Sequence, residues 1–210
     1  MNLFRPGFAL SLLLLMGGCA TPASRYYTLL PEARQAPAAR SNSAPASYAI
    51  SVQPVSVPAQ VDRPQIVLGS KGSAEVTPLN NSLWAAPLSD EIRNALANDL
   101  SQRLGVIDIP ARTVPKTLAL WKIDFSVQRF DSIYQQGVVL DATWRLTPVN
   151  QRKRTPMICK AEVRLPASNG IPGLIQAHQA ALHQLAAVIA AQIAGQTVPA
   201  DTALRMKGCT

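Results

Sequence analysis

Apolar and polar residues change their period several times along this chain, and each change marks an element. Tyr48-Ala-Ile-Ser-Val-Gln53 alternates with the period of two expected of a strand, and Val55-Ser-Val-Pro58 ends that run. Gln65-Ile-Val-Leu68 and Ala74-Glu-Val-Thr-Pro78 read as two further short strands. The period then lengthens. Leu88, Ile92, Leu96, Leu100 and Leu104 form an apolar stripe along a helix; Pro87 suits its first turn, Asp90 and Glu91 complement the positive end of its dipole, and Gly105 closes it. Three longer alternating segments follow, Trp121–Phe130, Val138–Leu146 and Met157–Leu165. The gaps between them are short and polar, which predicts an antiparallel meander with one wet face. On the last segment Lys160, Glu162 and Arg164 are expected to face water, with Met157, Cys159, Ala161, Val163 and Leu165 facing the core. A long Ala-rich helix from Leu174 to about Ala194 completes the series, with Leu174, Ala181, Leu185, Val188, Ile189, Gln192 and Ile193 on its apolar side. The predicted fold class is α+β, an antiparallel or mixed β-sheet covered on one face by two α-helices.

The N-terminus has a different character. Arg5 precedes a nearly unbroken apolar run, Phe8 to Met16, and the small residues Gly17 and Gly18 follow it, so residues 1–18 read as a secretory signal peptide. The run is shorter than the roughly 20 apolar residues that cross a bilayer. Met16-Gly17-Gly18-Cys19 resembles the bacterial lipobox, with Met16 where Leu is usual, in which the Cys thiol is acylated before cleavage. The bland alternative is a plain signal followed by an incidental thiol; the coincidence of h-region, small pair and Cys favours lipidation. A covalent N-acyl diacylglycerol on Cys19 would then be the only attached group, and several acyl chains hold a membrane firmly. Ala20 rather than Asp follows Cys19, which by resemblance to sorted lipoproteins of Gram-negative bacteria implies the periplasmic face of the outer membrane. Residues 19–47, punctuated by Pro31, Pro37 and Pro45, read as lipidated N-terminus and flexible linker. Within them Tyr26-Tyr27-Thr28-Leu29 is a strand-like patch whose two adjacent aromatics suggest that it docks somewhere, the alternative being a solvated linker throughout; residues 48–210 form the periplasmic domain.

Composition narrows the partners. The 210 residues suffice for one domain with its leader and linker, and 48% apolar residues are enough for a core. Lys and Arg outnumber Asp and Glu 20 to 12, a balance that suits nucleic acid, an anionic membrane surface or an acidic protein. Export to the periplasm removes nucleic acid from that set.

Candidate chemistry is sparse. The sequence has no Gly-rich phosphate loop, nucleophile elbow or zinc-type spacing, so neither a catalytic nor a metal site is expected. His178 and His183 lie five apart on the last helix, on different faces, and read as surface or boundary residues. Asp124 and Asp141 read as solvent-side strand residues. Cys159 and Cys209 are the thiols left besides Cys19, and an oxidising compartment favours a bridge that pins the C-terminal tail to the last strand. The other reading is a small buried Cys159 and a free Cys209. Arg152-Lys-Arg154 falls in a hairpin loop, either solvated or in contact with phospholipid headgroups or an acidic partner.

Two segments are more specific. Val55-Ser-Val-Pro58-Ala-Gln-Val-Asp-Arg63-Pro64-Gln-Ile-Val67 resembles the V-x-V-P…RPQIV stretch of the ABC-type transport auxiliary lipoprotein family. Asn80-Asn-Ser-Leu-Trp84-Ala-Ala-Pro87-Leu88 is similar to the W-A-x-P-L approach to that family's first helix, and Tyr26-Tyr27-Thr28-Leu29 fits the same pattern, most closely in its PqiC (YmbA) branch. Scaffold roles suffice for these residues: Trp84 as a hydrophobic staple before the helix, Pro58 and Pro64 as blocks to ladder pairing that define a kinked edge. The resemblance implies an accessory subunit of an MCE-type phospholipid transport system. Its implied partners are an MCE-domain tunnel protein of the PqiB type and outer-membrane lipids, and its implied state is a homo-oligomer. The alternatives are a lipoprotein that carries lipid or another ligand itself, and an accessory of outer-membrane assembly or secretion.

Overall fold

The computed structural model describes residues 23–30, 47–70, 72–110, 117–198 and 201–210. The leader, Cys19 and residues 31–46 of the predicted linker lie outside them. In chain order the described elements are β1 (Arg25–Tyr27), β2 (Tyr48–Val52), β3 (Gln65–Gly69), β4 (Val76–Trp84), α1 (Leu88–Leu104), β5 (Ala119–Ile133), β6 (Gly137–Val149), β7 (Met157–Pro166), α2 (Gly170–Ala194) and β8 (Leu204–Cys209). The strands form one mixed sheet in the order β1-β4-β3-β5-β6-β7-β8, with β2 paired to β5.

The predicted meander is the centre of this sheet: β5, β6 and β7 pair antiparallel over nearly their whole lengths. β5 is long enough to hold two partners in succession along its other edge. Its first residues pair in parallel with β2 and its last with β3. The chain between β2 and β3 keeps running along that edge, touching it through Gln53 N–H to Ile123 O (2.9 Å) and Val127 N–H to Ser56 O (2.9 Å). Proline explains the interruption, since Pro54, Pro58 and Pro64 have no N–H to offer a ladder. The pairing does break where Pro58 and Pro64 predict; β3, which follows Pro64, lies inside the sheet, whereas β2 has β5 as its one strand partner among the described residues. β4 pairs with β3 and β1 with β4, so β3 is interior and the outer strands are β1 and β8.

Both helices pack on one face. The stripe expected on α1 is buried at Leu88, Ile92, Leu96 and Leu100, joined by Ala95, Ala97 and Glu91. Pro87 is the residue before the helix; its carbonyl accepts from the amides of Asp90 and Glu91, and Gly105, at φ 64°, closes the other end. α2 begins a turn earlier than its periodicity suggests and buries Leu174, Ala181, Leu182, Leu185, Val188, Ile189 and Ile193. These side chains meet Ile123, Phe125, Leu140, Ala142, Trp144, Leu146 and Ala161 from the sheet. A bulge between Val127 and Arg129 shifts β5 by one residue, so that Phe130 and Ser132 also point at α2. Trp84 packs edge-on against Phe130, with centroids 6.0 Å apart.

β8 was not expected. It pairs antiparallel with β7, and the disulfide joins Cys159 to Cys209 across that pair, with their Cα atoms 4.1 Å apart. The neighbouring residues Ile158 and Thr210 exchange both backbone hydrogen bonds, so the two cysteines occupy the closer, non-hydrogen-bonded position of the ladder. A register shift in β8 is what makes this compatible with Lys207. Leu204 and Met206 lean towards the core while Arg205 and Lys207 lie on the opposite face; strict alternation would place Cys209 with the lysine. The shift returns Cys209 to the helix side, and Gly208, at φ 137°, supplies a conformation that side chains rarely adopt. The closed loop spans a sequence separation of 50, for which chain entropy gives about 4 kcal/mol of stabilisation. The Cys159→Ala/Cys209→Ser double variant is expected to unfold at clearly lower denaturant than the oxidised wild type. Identical midpoints, with unchanged slopes, would contradict this.

Candidate functional site

Three features stand out: the seat of the N-terminal segment, a charged cluster on the open sheet face, and a buried histidine.

The patch at residues 26–29 is seated on the domain at several points. Arg25, Tyr26 and Tyr27 pair in parallel with Ser82, Leu83 and Trp84, and Ala85 N–H donates to Tyr27 O at 2.8 Å. Glu91, in the first turn of α1 and only 5% exposed, accepts from Thr28 Oγ1 at 2.7 Å and from the Leu29 amide at 2.8 Å. Gln179 of α2 donates to the Thr28 carbonyl at 3.1 Å. Leu29 itself is fully buried. A carboxylate in the first turn benefits from the helix dipole, and hydrogen bonds to a charged acceptor contribute about 1.5–3 kcal/mol each. Burial of one leucine side chain adds about 1.5–3 kcal/mol. The segment is therefore part of the fold.

The sheet face away from the helices is not uniformly wet. Asp124, paired with Lys122 at 3.3 Å, is half exposed as expected. Asp141 and Glu162 are not: they are 4% and 8% exposed. Lys207, from the unpredicted β8, reaches across β7 and donates to both, at 2.7 Å to Asp141 and 2.8 Å to Glu162. Lys160 approaches Asp141 from the other side at 3.4 Å, and Arg164 bonds Glu162. Hydrogen bonds from Arg164 and then Lys207 pull the Glu162 carboxyl down to about 2, and the bonds to Asp141 and Glu162 hold the Lys207 ammonium above its usual range.

His178 is fully buried rather than at the surface or boundary, because it lies on the same stripe as Leu174, Ala181 and Leu185. Its ring stacks on Phe130 at 3.8 Å and Nε2 lies 2.8 Å from Ser132 Oγ. Burial drives it down to about 3, so the ring is neutral at physiological pH. Ser132 is itself 3% exposed, in the wall of the groove beside β5, and the histidine ring behind it is out of contact with solvent. His183 is exposed, between Asp99 and Arg103.

The remaining residues singled out in the sequence are dispersed. Trp84 and Leu88 are buried, Pro58 is half-buried, and Arg63, Pro64 and Pro87 are exposed. In the β6–β7 loop Arg152 and Lys153 are solvated, while the Arg154 guanidinium lies over the Trp121 ring at 6.0 Å. Among the described residues no group of His, Cys, Asp and Glu is placed to hold a metal. No described helix is long and apolar enough to cross a membrane. An open groove of about 580 Å³ lies between the β3–β4 turn and β5, lined by a mixture of charged and apolar residues such as Glu75, Arg129, Asp131, Val67, Phe130 and Ile133.

Both titrations act in the same direction. His178 is lowered from 6.5 to about 3, so the unfolded chain binds its proton first and stability is lost as pH falls from 6.5 towards 3. Glu162 is lowered from 4.5 to about 2, so its contribution is present above 4.5 and is lost as pH falls towards 2. Unfolding midpoints measured against pH are expected to decline over both windows. Glu162→Gln is expected to flatten the decline below pH 4.5, and His178→Gln that between 6.5 and 3. Parallel curves for wild type and variants would show these assignments to be wrong.

The fold has relatives among solved structures. A crystal structure of an uncharacterized protein is similar at a TM-score of 0.62 and 20% identity, covering 81% of this chain and 99% of that one. Protein XCC0632 from Xanthomonas campestris, of the DUF330 family, is similar at a TM-score of 0.50 and 18% identity, covering 73% of this chain and 91% of that one. At such identities the likeness is one of fold. No curated protein matches the chain. The model of the ABC-type transport auxiliary lipoprotein component matches residues 27–190, which takes in the seated N-terminal residues, both helices and the strands between them. The chain belongs to the ABC-type transport auxiliary lipoprotein family.

Proposed function

We propose that this lipoprotein is the outer-membrane subunit of an MCE-type, Pqi-like phospholipid transport system. It would dock the periplasmic MCE tunnel at the outer membrane and so support envelope integrity. Family membership over residues 27–190 is the observation that carries the reading. Its work would be tethering and interface formation, without catalysis: among the described residues the Ser–His contact is Ser132 with His178, the His178 ring is fully buried, and no carboxylate is bonded to it. Acyl chains on Cys19 would hold the domain at the membrane, and a homo-oligomer would present it to the tunnel.

A cargo carrier would need an enclosed apolar pocket. The groove beside the β3–β4 turn has Val61, Val67, Phe130 and Ile133 in its wall as well as Glu75, Arg129 and Asp131, but it is open rather than enclosed, which favours the adaptor. Crosslinking in the intact envelope followed by identification of partners tests the proposal, and recovery of an MCE-domain protein is the expected outcome. Recovery of a secretin or β-barrel in its place would overturn it, and stoichiometric phospholipid retained in native mass spectrometry would favour the carrier. Cys19→Ala is expected to abolish function while leaving the domain folded; full complementation by the unlipidated form would contradict the tether.

A further inference from the structure

The seat of residues 25–30 has a geometric consequence for how the domain stands on its membrane. If residues 19–47 were all free, the lipid on Cys19 would be joined to Tyr48 by a chain reaching up to about 100 Å. The parallel pairing of β1 with β4 and the bonds to Glu91 shorten that leash. Only the five residues Ala20 to Ser24 separate Cys19 from β1, and their reach from Cys19 to Arg25 is at most about 20 Å.

Direction matters as much as length. β1 runs parallel to β4 with Arg25 opposite Ser82, so the chain enters β1 from the side on which β4 begins, at Val76. Six residues of β4 separate Ser82 from Val76, which is also about 20 Å. The leash therefore extends as far as the end of the sheet made by the β3–β4 turn and the β5–β6 turn, which are joined where Tyr134 N–H donates to Gly69 O. The opposite end, with the Arg152–Arg154 loop, lies a full β6 away, about 40 Å, and out of reach.

The reachable end also carries the right side chains. Val76 is 47% and Tyr134 48% exposed, flanking Gly69 on either side. Tyrosine is enriched where one end of a ring is apolar and the other wet, at the level of lipid headgroups.

We infer that the domain rests on the lipid bilayer through the β3–β4 and β5–β6 turns, with Val76 and Tyr134 at the lipid surface, and that the Arg152–Arg154 end points into the periplasm. The inference rests on acylation of Cys19. The loop basic run is thereby assigned away from the anchoring membrane, and towards whatever the domain meets on its far side.

The test uses the full lipidated protein in vesicles of phosphatidylethanolamine and phosphatidylglycerol, with photoreactive p-benzoylphenylalanine replacing Val76, Tyr134 or, at the far end, Ile158. Mass analysis of the N-terminal peptide first establishes whether Cys19 carries acyl chains; an unmodified Cys19 overturns both the tether and this inference. With Cys19 acylated, phospholipid adducts are expected several-fold more abundant at positions 76 and 134 than at 158. A flexible Gly/Ser insert of about twenty residues between Ser24 and Arg25 would add up to roughly 66 Å of reach and is expected to reduce those adducts. Equal adduct yields at all three positions would overturn the inference while leaving the lipid tether intact. So would crosslinks at 76 and 134 to a second copy of the chain in place of lipid.

Discussion

The account turns on a buried carboxylate. Glu91 lies on the inward arc of α1, where an acidic side chain without partners would be costly, and its partners come from a segment more than sixty residues earlier in the chain. Thr28 and the Leu29 amide satisfy it, Leu29 fills the adjoining space, and the short β1 strand follows from that placement. The constraint is mutual: α1 needs the N-terminal segment to cover Glu91, and the segment needs α1 to be ordered. A stretch whose composition reads as tether is thereby divided, with one part built into the domain.

The opposite sheet edge is fixed by similar means. β8 is a short strand with two basic side chains and a glycine, which would hold little on its own. Its disulfide to β7 and the bonds of Lys207 to Asp141 and Glu162 fasten it from the two faces of the sheet. Inside, Gln192 of α2 accepts from Trp144 Nε1 at 2.8 Å and lies 3.2 Å from Cys159 Sγ, tying the helix to the same pair of strands. Both edges of the sheet are thus held by side chains rather than by ladder length. The two outer strands remain the places where the backbone is least committed to partners.

How much of this was legible in the sequence follows from the range of the interactions. The meander and both helices rest on periodicity, a local property, and β5, β6, β7, α1 and α2 formed where the pattern placed them. Glu91 and His178 carried a readable signal: each sits at helical spacing within a stripe of residues that proved buried. Surface habit of their residue types argued the other way, and tertiary packing prevailed. Asp141 and Glu162 had the alternation of solvent-side residues, and they do lie on the face away from the helices. What alternation cannot encode is a lysine arriving from a strand more than forty residues later, aimed by a register shift at Gly208. The edge expected at Pro58 and Pro64 meets a related limit, since β3, directly after Pro64, is an interior strand. Proline stops a ladder locally, but whether other strands extend the sheet beyond it is decided by distant segments.

The seat of the N-terminal segment includes the first residues matched by the family and underlies the proposed leash and orientation at the membrane, so it is the claim to test first. Amide hydrogen exchange at Leu29 in the full chain measures it directly. The account predicts protection at Leu29 comparable to that of the β5–β6 core, lost together with it on global unfolding, and sharply reduced by Glu91→Ala. Exchange at the rate of an unstructured peptide in the wild-type protein, with the β5–β6 core still protected, would contradict it.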